Sequence, residues 1–170
     1  MWIDFNKLPD QARVWVYQAN RPLSDDEVSE TQQALQSALA QWAAHGQPLL
    51  ASAKVVANRF VVVAVDEGYN LPSGCSIDSS VRTLQAIGQQ VSHNNGPVDF
   101  FDRSAALQTA DGTVQAVSLP DIKGAVTAGS LTPNTLVYNT LVKTKAEFEA
   151  NWTIRAADSW LKRYFKNVAA

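Results

Sequence analysis

The sequence predicts an α+β protein in two unequal parts: a βαββαβ half over residues 1–103 and a smaller, more irregular α+β half over 104–170. Three observations carry this prediction. β-rich and amphipathic stretches alternate through the first hundred residues, and two adjacent β-rich stretches are joined by a tight turn with no helix between them. Beyond residue 103 the segments shorten and are punctuated by Asp-Gly, Pro and Gly.

In the first half, "ARVWVYQAN" reads as a strand. It is followed by Pro22 and a Ser24-x-x-Glu27 capping box, whose acidic first turn (Asp25, Asp26, Glu27) suits the positive end of a helix. Val28, Leu35, Ala38, Leu39 and Trp42 recur at three- and four-residue spacing, so the helix is expected to run from about residue 25 to near His45. There His-Gly serves as a last-turn residue and a left-handed cap. "LLASAKVV" and "RFVVVAVDE" form a β-hairpin turning at Ala57-Asn58-Arg59, where Asn58 tolerates a left-handed backbone. Ile77, Val81, Leu84, Ile87 and Val91 mark one face of a second helix, which runs out at "SHNNGP", with His93 as a helix-end residue; a strand at "VDFFD" follows. The order β, α, β, β, α, β is the split βαβ plan of ferredoxin-like domains.

In the second half a hairpin is centred on Asp111-Gly112, and a short helix is opened by Pro120 and closed by Gly129. "TPNTLVYNTLV" reads as a turn plus strand. A further helix starts at Thr144 with Thr144-x-x-Glu147. Phe148 and Trp152, then Trp160, Leu161, Tyr164 and Phe165, continue as apolar stripes at helical spacing.

Composition narrows the function classes. The chain has 170 residues, 46% of them hydrophobic and 18% charged, and a net charge of −2, which is an ordinary globular balance without a basic field. Nucleic acid and anionic membrane are therefore not expected as partners. One cysteine cannot form an internal disulfide, and "MWIDFNKLPD" lacks the basic and apolar regions of a signal peptide. The longest apolar run, Phe60–Val65, is too short to cross a bilayer and suits a buried strand. A cytoplasmic location with no membrane span is expected, and the oligomeric state stays open.

Two resemblances add to this. "DGTVQAVSLPDIKGAVTAGSLTPNTLVYN", with Trp152 beyond it, resembles bacterial GYF-like domains, although Gln115-Ala116-Val117 stand where those domains carry Gly-Pro-Phe. The resemblance implies a small α+β module that binds peptides, commonly proline-rich ones, on an aromatic groove. Through "VWVYQANRPLSDDEV", "HGQPL", "NRFVVVAVDE", "SGCSID" and "VDFFDR" the whole chain also resembles a family of small bacterial proteins often labelled ABC transporter ATPases. The residues oppose that label. No GxxxxGK[ST] loop is present to cradle phosphates, and Ser73-Gly74 is followed by cysteine rather than lysine.

Three groups of residues are candidates for a site. In the split plan the end of the first helix, the end of the third strand and the start of the second helix share one sheet edge, which brings His45, Asp66, Glu67 and Cys75 to the same end. A thiol at a helix N-terminus with an imidazole nearby, oriented by Asp66 or Glu67, is the pattern of a nucleophile; alternatively the helix start, with Ser76, binds an anion, or Ser73, Ser76 and Asp78 simply cap or charge-match it. At the opposite edge the repeated Ala-Asn-Arg triplets, 19–21 and 57–59, place Asn20, Arg21, Asn58 and Arg59 where two guanidiniums can hold a carboxylate or phosphate, or simply end strands. Trp152 and Trp160 are candidate anchors for a protein or peptide partner, or packing residues. His45 and His93 lack a second ligand at metal spacing, so neither a metal nor a cofactor is expected. The leading expectation is a non-enzymatic protein- or peptide-binding module. The alternative is a small enzyme or redox or ligand sensor using Cys75 with His45.

Overall fold

The computed structural model describes residues 1–92 and 95–166; His93 lies outside the described residues. It is a mixed α and β structure with small antiparallel sheets. In chain order the first half comprises β1 (Arg13–Gln18), α1 (Asp25–Leu39), a miniature hairpin of β2 (Ala43–Ala44) and β3 (Gln47–Pro48), β4 (Ala51–Val56), β5 (Phe60–Val65) and α2 (Gly74–Gln90).

β5 is the middle of a three-stranded sheet ordered β1–β5–β4 and runs antiparallel to both neighbours, so β1 and β4 are parallel with β5 inserted between them. All six β5 residues are buried because the sheet is covered on both faces. Val61, Val63 and Val65 join the core beneath α1 and α2, where Leu35, Leu39, Leu84 and Ile87 pack. Phe60, Val62 and Ala64 face the second half instead. The Ser24–Glu27 capping box of α1 is complete in both directions. In the β4–β5 turn, Ala57 and Asn58 both take positive φ, 54° and 51°, and Arg59 N–H donates to Val56 C=O at 3.1 Å.

Two elements differ from the sequence reading. α1 ends at Leu39, not near His45: His45 and Gly46, with φ of 52° and 76°, form the two-residue turn of the β2–β3 hairpin. A left-handed pair fits a helix cap and such a turn equally, and pairing of Ala44 with Gln47 decides for the turn. The fourth strand expected at Val98–Asp102 is reduced to a single parallel bridge of Phe101 with Gln18 at the end of β1. Asp99 and Asp102 side chains accept the Phe101 and Ser104 N–H groups at 2.8 and 3.3 Å, which curls the backbone. The start of the β1 edge is taken by the second half, with Val14 N–H donating to Lys143 C=O at 3.0 Å and Arg13 bridging Thr144.

The second half contains β6 (Ala105–Gln108), β7 (Val114–Val117), α3 (Ile122–Ala128), β8 (Leu136–Tyr138), α4 (Lys145–Asn151) and β9 (Thr153–Arg155), with an antiparallel sheet ordered β7–β6–β8–β9. Gly129, at φ 80°, closes α3 as expected. Thr144 caps α4 by accepting Glu147 N–H at 3.1 Å, while Glu147 reaches back to Lys143 N–H at 2.9 Å, one residue beyond a reciprocal box. The helical stripe expected beyond Trp152 is broken. Thr153 and Ile154, both β-branched, pair with β8, and Trp160–Phe165 form a 3-10 helix whose cap, Ser159, accepts Leu161 N–H at 3.1 Å.

Trp152 joins the halves. Its ring lies 5.0 Å from Phe60, 5.4 Å from Tyr138 and 5.0 Å from Phe148, so it contacts the lower face of the first sheet, the second sheet and α4 together. Lys145, also buried, ties the N-terminal segment to α4 by donating from Nζ to the C=O groups of Asn6 and Leu8 at 3.1 and 2.7 Å.

The outer edge of β4 is closed. Ile3 N–H donates to Ala51 C=O and Ala51 N–H to Met1 C=O, at 3.0 and 2.9 Å. Farther along, the Gln32 amide imitates a neighbouring strand, donating to Ala53 C=O at 2.8 Å and accepting Val55 N–H at 3.2 Å.

Gly88 sets how closely α2 approaches the following loop, because a β-carbon there would lie 2.2 Å from the Val98 carbonyl oxygen. Gly88→Ala is therefore expected to lower the urea midpoint, equivalent to about 1–3 kcal/mol of overpacking, with the slope of the transition unchanged. No helix among the described residues is long and apolar enough to cross a membrane.

Candidate functional site

The edge predicted around Cys75 is assembled by capping. Cys75 is exposed and free in the first turn of α2. Ser73 accepts Ser76 N–H at 3.1 Å and Ser76 Oγ accepts Ser73 N–H at 2.7 Å, a reciprocal box made from two serines. Ser76 is buried, and its C=O accepts the Trp42 indole N–H at 2.7 Å, so it acts as a helix cap and a packing point. Asp66 accepts Gly68 N–H at 2.9 Å, and Glu67 pairs with Arg13 at 3.3 Å. His45 is exposed at the tip of its hairpin. Among the described residues no hydrogen bond or ion pair links Cys75, His45 and Asp66, and no group of three His, Cys, Asp or Glu side chains is placed to hold a metal ion.

At the opposite edge the two Ala-Asn-Arg triplets meet. Ala19 N–H donates to Arg59 C=O at 2.8 Å, Arg59 Nε to Ala19 C=O at 3.1 Å, and Leu23 N–H to Asn58 C=O at 2.7 Å. Their polar side chains face protein partners. Asn58 Nδ2 donates to Leu23 C=O and Asp25, at 3.1 and 3.0 Å, and Asn20 Oδ1 accepts Asp99 N–H at 3.0 Å. Arg21 grips Glu27 through both terminal nitrogens, at 3.0 and 2.6 Å, and donates to Gly96 C=O at 2.7 Å. This bidentate pair holds the Glu27 carboxyl down to about 2, helped by Ser24 and opposed by burial. Arg59 is buried, which pushes its guanidinium down from its ordinary value against the pull of Asp102. The expected anion site is thus filled by Glu27 and backbone carbonyls.

Trp152 and Trp160 have separate roles. Trp152 belongs to the junction, whereas half-buried Trp160 walls a cleft of about 490 Å³ between β1 and the second half, together with Val16, Gln18, Asp102, Leu119 and Leu141. Leu119 and Leu141 are 45% and 62% exposed, so the rim presents apolar side chains to solvent beside exposed Arg103. Gln18 is only 4% exposed, and its Nε2 has no hydrogen-bond partner among the described residues. An unmet buried amide costs about 1–3 kcal/mol, a penalty relieved by any acceptor that the side chain can turn to meet.

The β1 edge adds backbone groups to this cleft. Residues 14 and 18 bond outward, to Lys143 and Asp102, so the ladder alternation turns Val16 N–H and C=O outward as well, and no described residue bonds them. Continuing the Arg13–Thr144 register would bring Leu141 against Val16. Instead Asn139 Oδ1 accepts Leu141 N–H at 3.3 Å, which turns the chain before it reaches Val16.

Sequence reasoning identified Trp160 but missed Gln18, Leu119 and Leu141. A glutamine ending an alternating strand has no local feature that shows its amide will be buried. Comparison of the chain with protein families, curated proteins and solved structures finds no match.

Proposed function

We propose that this protein is a non-enzymatic module that binds a peptide segment of a partner protein in the cleft beside β1. The observation that carries the reading is the buried Gln18 amide, unpartnered among the described residues, in a cleft of mixed polarity rimmed by exposed leucines, Arg103 and Trp160. The volume suits a peptide side chain with its flanking backbone, and Gln18 and Val16 supply polar contacts for orientation.

The fold reading that accompanies it is a ferredoxin-like split βαβ half, lacking its fourth strand, joined to a GYF-like half. Its supports are the β1–β5–β4 order with β1 and β4 parallel, and the succession of the Asp111-Gly112 hairpin, a helix closed by Gly129 and the strand Leu136–Tyr138. An exposed, unpaired cysteine fits the reducing cytoplasm. Among the described residues no hydrogen bond or ion pair to Cys75 favours the thiol-catalysis reading.

The test selects peptides from a displayed random dodecapeptide library on the full chain and measures their affinity by fluorescence anisotropy. Leu141→Glu is expected to weaken the selected peptides by about tenfold or more, as loss of a central apolar contact does. Leu71→Glu, at an equally exposed leucine outside the cleft, and Cys75→Ser are expected to leave affinity unchanged. Equal affinity for wild type and Leu141→Glu contradicts the proposal.

A further inference from the structure

We infer that the bound peptide is acidic on the side that crosses Trp160, an inference that rests on the peptide-binding reading above. Trp160 also lines a second hollow, of about 550 Å³. Its apolar wall includes Pro133 and Phe165, and its rim carries Lys162, Arg163 and Lys166, all exposed. Three cations within five residues are a local excess on a chain whose net charge is −2.

The excess is offset only in part. The nearest acid in sequence, Asp158, is bonded to Arg155 at 3.0 Å and also feels the charge of Lys162, so Lys162 is offset in part while no ion pair among the described residues holds Arg163 or Lys166. Arg163 donates to the Tyr164 hydroxyl at 2.9 Å and lies 4.9 Å from that ring's centre, contacts that fix the guanidinium without cancelling its charge. In the first cleft exposed Arg103 stands beside half-buried Asp102, so the net positive charge lies on the Trp160 side. A peptide whose apolar residues occupy the Leu119–Leu141 cleft and whose chain continues over Trp160 thus meets a positive rim. Asp or Glu residues there gain complementary charge, and Lys or Arg residues are repelled. The patch is too short to follow a nucleic-acid backbone and lies on a chain of opposite net charge, which favours an acidic peptide over nucleic acid or anionic lipid.

The test uses the display-selected dodecapeptides. Asp and Glu are expected to be enriched beside their apolar residues. The double variant Lys162→Glu/Lys166→Glu is expected to bind them about tenfold more weakly in low salt, with the gap narrowing near about 0.5 M NaCl as screening shortens the reach of the charges. An unchanged thermal melt of this variant confirms that the loss is not unfolding. Selected peptides that require Leu141 but are neutral or basic, and bind the double variant normally, overturn the acidic inference and leave the peptide reading intact. Absence of any Leu141-dependent peptide overturns both. Binding of an oligothymidylate or of phosphatidylserine vesicles, abolished in the same double variant, overturns the inference in favour of nucleic acid or membrane.

Discussion

Trp152→Ala is expected to cost about 3 kcal/mol of stability, the lower end for removing a large aromatic because Trp152 is half-buried. The tryptophan contacts Phe60 from the first sheet, Tyr138 from the second and Phe148 from α4. Each edge-on or tilted ring pair contributes about 0.5–1.5 kcal/mol beyond area alone, so the truncation loses several contacts at once. It also exposes the lower face of the first sheet, where Val62 and Ala64 are buried against the same junction. Urea unfolding followed by circular dichroism checks this. The midpoint should fall steeply in Trp152→Ala and much less in Trp152→Phe, which retains a ring. A midpoint close to that of the wild type in the alanine variant contradicts the junction assigned to this residue.

Glu27 is expected to give the chain an acid-sensitive component of stability. Its carboxylate is 1% exposed, pairs bidentately with Arg21 and has its pKa lowered from 4.5 to about 2. A depressed folded-state pKa means that the contribution is complete above the ordinary value and is lost as pH falls from about 4.5 toward 2. The shift corresponds to about 3 kcal/mol at neutral pH. Glu27→Gln, which preserves shape but removes the charge, should be less stable than wild type by roughly that amount at pH 7, and the difference should shrink as both are acidified. A gap that stays constant across that range would show that the pairing with Arg21 does not set the pKa.

The parts of the fold legible in the sequence are those encoded by local chemistry. The capping serines 24 and 73, the left-handed Asn58 and Gly129, and the unbroken apolar run of β5 each perform the role their residue type implies. The pairing of the two Ala-Asn-Arg triplets also followed, because strand order alone brings those chain ends together. Features decided by distant partners did not follow. The strand at Val98–Asp102 is lost to Asp side chains that curl it and to Lys143 and Thr144, which occupy the start of the β1 edge from over forty positions away. His45-Gly46 satisfies a helix cap and a hairpin turn alike, and only pairing of β2 with β3 separates the two. The apolar stripe at 152–165 keeps its burial at Leu161 and Phe165 but not a continuous α-helix, because Ile154 pairs with Val137 and only a 3-10 helix follows. The candidate cleft was the least legible part. Its polar group, Gln18, matters only because the second half folds over it.

That cleft is the central claim, and nuclear magnetic resonance tests it most directly. In a titration of isotope-labelled protein with a display-selected dodecapeptide, the Gln18 side-chain NH2 and the Val16 amide are expected to show the largest shifts, joined by the Trp160 indole N–H. Shifts centred instead on the β2–β3 hairpin and the start of α2 around Cys75, with Gln18 unmoved, would contradict the account.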